Sequence, residues 1–190
     1  MTSPNASLPA SPGISVILPV LNEQAHLEDS IRAILSQSYL GKFEVILALG
    51  PSRDSTNEIA RSLAAEDSRV ILVENPSGRT AAGLNIALKA STQDVVVRVD
   101  AHAEIPNNYL QLVIEILRES GAVNVGGVMG AQGVTFFETA VAAAMCSPFG
   151  VGGSRFHTGG KAGYVDTVYL GAFIRQAVID AGGFDERFVR

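Results

Sequence analysis

Tryptophan is absent from this 190-residue chain, and cysteine occurs once, at Cys146. A single thiol excludes an internal disulfide framework and suits a reducing compartment; its plainest role is that of a small buried hydrophobe. Charge is sparse as well. Only 17% of residues are charged, and 14 basic against 19 acidic side chains leave a net charge of −5. With no basic tract and no interleaving of aromatic and basic residues, nucleic acid is excluded as an expected partner. Long apolar runs are missing too. The stretch from Gly121 to Gly153 is rich in small residues, but Asn124, Gln132 and Glu138 interrupt it, so it falls short of the ~20 apolar residues of a spanning helix. Residues 1–13, MTSPNASLPASPG, have neither the basic start nor the apolar centre of a signal peptide and read as a flexible leader. Finally, the segment PVLNE after the first apolar run carries no glycine. That excludes the G-x-G-x-x-G dinucleotide fingerprint and the P-loop, and with them an NAD enzyme, a kinase or an ATPase. A sugar-nucleotide pyrophosphorylase, which wants a glycine-rich basic first loop, is disfavoured on the same ground.

What the chain does contain is a regular alternation of apolar runs. Hydrophobic residues make up 47% of it, and residues 14–190 suffice for one domain with a sizeable core. Ile14 to Pro19 predicts a first strand, and Asn22 reads as the cap of a helix whose apolar face is Leu27, Ile31, Ile34 and Leu35. Phe43 to Leu49 predicts a second strand, followed by a helix carrying Ile59 and Leu63; Val70 to Val73 a third, followed by a helix from Thr80 to Ala90; and Val95 to Val99 a fourth. This β-α-β-α-β-α-β order implies an α/β fold, with a parallel sheet, helices on both faces and right-handed crossovers. Beyond it the pattern predicts a helix from Asn108 to Arg118, a strand from Val123 to Met129 and a helix from Phe137 to Met145. A glycine-rich loop from Ser147 to Gly163, a strand from Val165 to Leu170 and a helix from Ile174 to Ala181 complete it.

Candidate functional residues lie in the loops at strand carboxyl ends, where open α/β sheets collect ligands. The fourth strand, VVVRV, runs into Asp100-Ala101-His102. On an extended segment a carboxylate at i and an imidazole at i+2 point the same way. The two can share a Mg²⁺ or Mn²⁺ ion whose other positions go to a diphosphate. Equally, Asp100 can cap the turn before Pro106 while His102 is solvated, and spacing alone favours that plainer reading. In the second turn, GPSRDST, Asp54 suits a helix cap and a ligand contact alike. In the third, NPSGRT, Arg79 stands beside a helix N-terminus, a place favourable to anions, or else is a solvated surface charge.

Five segments in order, PVLNE, GPSRDST, NPSGRTAAGLN, RVDAHAE and GGFDERF, together resemble the family 2 glycosyltransferases with a GT-A fold. Among these the pattern is most similar to bacterial exopolysaccharide enzymes of the succinoglycan-biosynthesis glucosyltransferase type, in which Asp-x-His replaces the usual Asp-x-Asp. The resemblance spans nearly all of residues 14–190 and implies a three-layer α/β/α domain with a mostly parallel sheet. It also implies an inverting, metal-dependent transfer of a hexose from a nucleoside diphosphate sugar, expected to be a UDP-sugar, to a glycan or lipid-linked glycan. A non-catalytic nucleotide-sugar binding module is the alternative. By the same resemblance Pro19, Val20, Asn22 and Glu23 touch the donor nucleoside, Asp54 matches the donor-binding aspartate of the second loop, Arg79 sits where an arginine approaches the uracil ring, and Asp100 and His102 hold the donor and its Mg²⁺ or Mn²⁺ ion. Glu104 is either an assistant or a solvated turn residue. Leu49 stands where relatives place an aspartate that reads the base or ribose. The base that deprotonates the acceptor is expected in an acidic pair just beyond Arg190, so the domain is expected to be incomplete at its C-terminus and inactive alone. The expected setting is the cytoplasm, at the inner face of the plasma membrane for the full-length protein.

Overall fold

Valine, isoleucine and leucine dominate the segments that become strands. In a computed structural model, which describes residues 8–187 except 132, 134 and 152–154, the first half alternates strand and helix without a break. It runs β1 (Ile14–Val20), α1 (Leu27–Leu35), β2 (Phe43–Leu49), α2 (Thr56–Glu66), β3 (Val70–Glu74), α3 (Thr80–Ala90), β4 (Val95–Arg98) and α4 (Tyr109–Ser120). Then follow β5 (Asn124–Gly127), α5 (Phe136–Met145), the one-turn helices α6 (Pro148–Val151) and α7 (Arg155–Thr158), β6 (Tyr169–Ile174) and α8 (Arg175–Asp180). Most of the expected leader, residues 1–7, lies outside the described residues.

The strands form one sheet in the order β3-β2-β1-β4-β6-β5. β1, β2, β3 and β4 pair in parallel, whereas β6 runs antiparallel to β4, with Val95 opposite Ile174 and Val97 opposite Ala172. On β5, Ile174 N donates to Val123 O while Gly126 lies against Tyr169 O, so β5 and β6 run in opposite directions. One sheet face, with Ile17, Ile46, Ala48 and Val96, packs against Leu84, Ala87 and Leu88 of α3 and Val178 of α8. The alternate row, Val16, Leu18, Val45, Leu47, Val95 and Val97, is fully buried. Helices α1, α2 and α4 each bury one side, Leu27, Ile31, Ala60, Leu110 and Leu117 among them. A strand apolar on both faces is what a sheet covered by two helical layers requires.

The chain divides into two compact units. One comprises residues 1–125 and 172–190, the other residues 126–171. In the second, α5 opens with a capping box, Glu138 N donating to Thr135 Oγ1 and Thr135 N to Glu138 Oε2. The segment Ser147 to Gly163 is not a plain loop, since α6 and α7 lie within it. The Arg155 guanidinium there is spent on the carbonyls of Tyr164 and Lys161.

Three boundaries differ from the sequence reading. Helix α1 starts at Leu27 with His26 as N-cap, so Asn22 is not its cap. Asn22 instead adopts φ 56°, a left-handed conformation that asparagine tolerates. The last strand covers Tyr169–Ile174 rather than Val165 to Leu170, because its pairing with β4 fixes where it lies. β4 ends at Arg98, and the chain then turns, Ala103 N donating to Asp100 O at 2.9 Å. Asp100 and His102 therefore sit on a turn, not along an extended segment.

Candidate functional site

The order of strands decides where the loops meet. From β1 the chain moves outward to β2 and β3, then returns to place β4 on the other side of β1. The loops after β1, β2 and β4 thus leave the same edge of the sheet at a point where strand order reverses.

The first two of these loops are clasped together. Asn22 N donates to Ser52 Oγ at 3.0 Å, and Arg53 N donates back to Asn22 Oδ1 at 2.8 Å. Glu23 N donates to Thr56 Oγ1 at 2.7 Å, Gln24 N to Asp54 Oδ2 at 3.4 Å, and Ser55 N to Gln24 Oε1 at 3.1 Å. Asp54 Oδ1 accepts from both the amide and the hydroxyl of Thr56. The hydroxyl bond, foremost, holds the Asp54 carboxyl below the usual carboxylate range. Both oxygens of Asp54 thus accept bonds that brace the loop at the start of α2, Oδ2 only through the long bond from Gln24 N. Val20 is buried, and its carbonyl accepts from Gly50 N at 2.8 Å. Pro19 is half-buried beside Gly83 of α3, where a Cβ would lie 3.2 Å from the proline Cβ. Leu49 is buried at the end of β2, so its side chain belongs to the core.

On the other side of β1, the turn after β4 carries the two expected metal ligands. Asp100 Oδ1 accepts from Arg98 Nε at 3.1 Å and Nη2 at 2.9 Å. Asp100 Oδ2 has no partner among the described residues. His102 Nδ1 lies 3.0 Å from Glu23 Oε1, which joins the first loop to the fourth across the reversal point. Glu104 is exposed. The turn is anchored by the buried Ala101 and Ala103, and Ser30 Oγ of α1 donates to Ala103 O at 3.0 Å.

The third loop is shaped from within. Asn75, buried, donates through Nδ2 to Arg79 O at 3.1 Å and accepts from Ser77 Oγ at 2.9 Å. Gly78 completes the turn at φ 63°. Arg79 is the N-cap residue of α3, exposed, and its guanidinium makes no hydrogen bond among the described residues. On α3, Asn85 grips the GGFDE segment: Nδ2 donates to Phe184 O and to Glu186 Oε1, each at 2.8 Å, while Phe184 N donates to Asn85 Oδ1 at 2.8 Å.

The structure thus brings together Asn22, Glu23, Asp54 and His102 through bonds between loops, and pairs Asp100 with Arg98. Ser52, Thr56, Arg98 and Asn85 are the supporting residues that motif reading passed over. Of these only Arg98 gives a local signal, as a lone charge in an otherwise apolar strand.

A family model described as glycosyl transferase family 2 matches residues 15–178. The chain belongs to glycosyl transferase family 2. Succinoglycan biosynthesis protein ExoA of Rhizobium meliloti is 33% identical to it over 175 residues, 91% of this chain and 53% of that protein. Mannosyltransferase PcManGT from Pyrobaculum calidifontis, solved in complex with GDP-Man and Mn²⁺, is 25% identical with a TM-score of 0.69, covering 97% of this chain and 50% of its own. Residues 1–349 of S. aureus TarS superpose with a TM-score of 0.70 at 18% identity, covering 94% of this chain and 52% of that one. The chain therefore spans about half the length of these proteins. Its fold is the GT-A fold of the family.

For a family member, the donor set can be tested against a divalent ion. Among the described residues no three His, Cys, Asp or Glu side chains gather at one point. Asp100 Oδ2 and His102 Nε2 make no hydrogen bond among the described residues. One carboxylate oxygen and one imidazole nitrogen suit Mn²⁺ or Mg²⁺ when diphosphate oxygens and water complete the shell. No helix among the described residues is long and apolar enough to cross a membrane.

Proposed function

We propose that this chain is the donor-binding part of an inverting, metal-dependent glycosyltransferase. The transferred group is a hexose from a nucleoside diphosphate sugar, a UDP-sugar in the first instance. The acceptor is a glycan or lipid-linked glycan of exopolysaccharide or cell-envelope biosynthesis, met at the cytoplasmic face of the membrane. The observation that carries the reading is the meeting of the loops after β1, β2 and β4 at one sheet edge, with a carboxylate oxygen and an imidazole nitrogen on the turn after β4 that have no partner among the described residues. The likeness to ExoA supports the polysaccharide setting, and the GDP-Man and Mn²⁺ bound by PcManGT support a metal-borne donor.

Each residue has a task under this reading. Breaking the bond from sugar C1 to the diphosphate oxygen leaves negative charge on the diphosphate, while the acceptor oxygen bonds to C1 from the opposite face. A divalent ion, when bound, stabilises that charge as a Lewis acid. Asp100 and His102 hold the ion, and Arg98 keeps the Asp100 carboxylate in one orientation. Pro19, Val20 and Asn22 frame the nucleoside by their backbone, Glu23 stands beside them, and Asp54 braces the frame from behind. Arg79, an exposed cation at the N-terminus of α3, approaches the nucleotide. The acceptor proton goes to a carboxylate. Asp185 is paired with Arg187 and Glu186 accepts from Asn85, so neither is assigned that task.

Calorimetric titration of UDP, and of GDP for comparison, checks the reading. UDP should bind with Mn²⁺ present and lose affinity on addition of EDTA. Asp100→Ala should weaken the Mn²⁺-dependent binding by at least about tenfold, the loss that even an outer-shell substitution brings to a metal site. Affinity indifferent to both EDTA and Asp100→Ala overturns the metal role, and a preference for GDP overturns the choice of uridine.

A further inference from the structure

The sequence resemblance puts Glu23 against the donor nucleoside, but its side chain turns elsewhere. Glu23 Oε1 lies 3.0 Å from His102 Nδ1, and the Glu23 side chain is only 20% exposed against 58% for His102. Neither partner hangs loosely. The Glu23 amide is held by Thr56 Oγ1 at 2.7 Å, and its carbonyl accepts from His26 N at 3.0 Å and Leu27 N at 2.9 Å. His102 stands between two buried alanines on a turn tied to α1 by Ser30. Both backbones are fixed, so the direction in which the carboxylate meets the ring is fixed with them.

A carboxylate only accepts hydrogen bonds. An imidazole nitrogen facing one carries the proton, and in the neutral ring the other nitrogen keeps its lone pair. We propose that Glu23 is a positioning residue: it accepts Nδ1–H of His102, sets the ring's tautomer and orientation, and leaves Nε2 as the donor atom for a divalent cation arriving with a nucleoside diphosphate. This rests on the metal reading above and adds a residue that acts through His102. Carboxylate–histidine–metal relays of this kind raise the basicity of the ligating nitrogen and remove its freedom to rotate. Glu23 connects the first loop to that ligand, so the clasp of Asn22, Ser52, Asp54 and Thr56 becomes the mounting of the metal ligand as well as the nucleoside frame.

The tautomer can be read without any metal. Long-range ¹H–¹⁵N correlation spectra of the full chain, taken at about pH 8, above the ordinary imidazole range, should show His102 protonated at Nδ1. With three histidines in the chain, His102→Gln assigns the signals. Glu23→Ala should release that tautomer, while Glu23→Gln, whose amide oxygen still accepts from Nδ1, should largely keep it. In parallel, titration of UDP with Mn²⁺ should show Glu23→Ala binding about tenfold more weakly, a loss larger than any it shows in EDTA. A His102 ring protonated at Nε2 in the native chain, or unaltered by Glu23→Ala, overturns the proposal. So does an equal loss of UDP affinity with and without Mn²⁺, which makes Glu23 a nucleoside contact and leaves the metal reading standing. If His102→Gln and Asp100→Ala both leave Mn²⁺-dependent binding intact, the metal reading fails and the proposal with it. Thermal melting of each variant guards against misfolding, and Glu23→Leu, which keeps most of the side-chain volume but has no acceptor, carries the test where Glu23→Ala does not fold.

Discussion

Thr56 is fully buried, and its one hydroxyl serves two loops: it donates to Asp54 Oδ1 and accepts from Glu23 N. Valine has nearly the same shape but can do neither, so Thr56→Val leaves the Glu23 amide without its partner. The expected loss is about 1–3 kcal/mol of stability, the cost of a stranded polar group, measured as a lower urea midpoint at neutral pH. The acid limb should change too. The Thr56 hydroxyl lowers the folded-state pKa of Asp54, so the stability this contributes is present above the carboxyl's ordinary value of 3.8 and is lost as pH falls below it. In Thr56→Val that loss on acidification should shrink, and an unchanged acid limb would show that the hydroxyl does not set Asp54. At this scale the sequence was only half legible. Asp54 could be placed at a helix start and Asp100 and His102 at a strand end, because turn chemistry and strand length are local. The link from Glu23 to His102 could not be read, since it depends on two loops 79 residues apart meeting in space.

Elements were legible where their pattern is long and self-contained, as in β1, β2 and α3, whose bounds agree with the expected ones to within one residue. They were misplaced where a neighbour sets the boundary. Val165 to Leu170 has good strand composition, yet the strand lies at Tyr169–Ile174, because antiparallel pairing with β4 rewards those residues instead. Asn22 fails as a cap for a related reason: the short polar side chain that suits a helix start also suits a left-handed loop position. The grip of α3 on the GGFDE segment is likewise invisible to periodicity. Asn85 there imitates a strand neighbour, exchanging hydrogen bonds with both the amide and the carbonyl of Phe184. Replacing it by leucine should free the segment while leaving α3 helical. Hydrogen exchange at the Phe184 amide should then rise by about tenfold or more, as loss of roughly 1.4 kcal/mol of local protection implies, with amides of β1 and β2 unaffected. Unchanged protection at Phe184 would mean that Phe173, packed edge-on against Phe184, holds the segment without Asn85.

For the whole molecule, the alternation of strand and helix announced the parallel part of the sheet, while nothing in it announced the partition into two units. Every residue assigned to donor or metal belongs to the unit formed by residues 1–125 and 172–190. That unit should survive alone. Val123 and Ile174 are already hydrogen-bonded across antiparallel strands, so an Asn-Gly turn can join Val125 directly to Ala172. The shortened chain should unfold in a single transition and keep its Mn²⁺-dependent UDP affinity within about threefold, under 1 kcal/mol. Loss of binding in a folded product would show that residues 126–171 contribute to the donor site. The bond between Glu23 and His102 also bears on time. Its partners stand 79 positions apart, and contacts that close long loops form late, after the local ones that make them affordable. During synthesis or refolding, β1 and β2 can pair and α1 can form well before β4 docks beside β1. The bond from Glu23 to His102, and with it the orientation of the His102 ring, can form only once β4 has docked beside β1, so the junction between the first and fourth loops is a late product of the sheet that carries it.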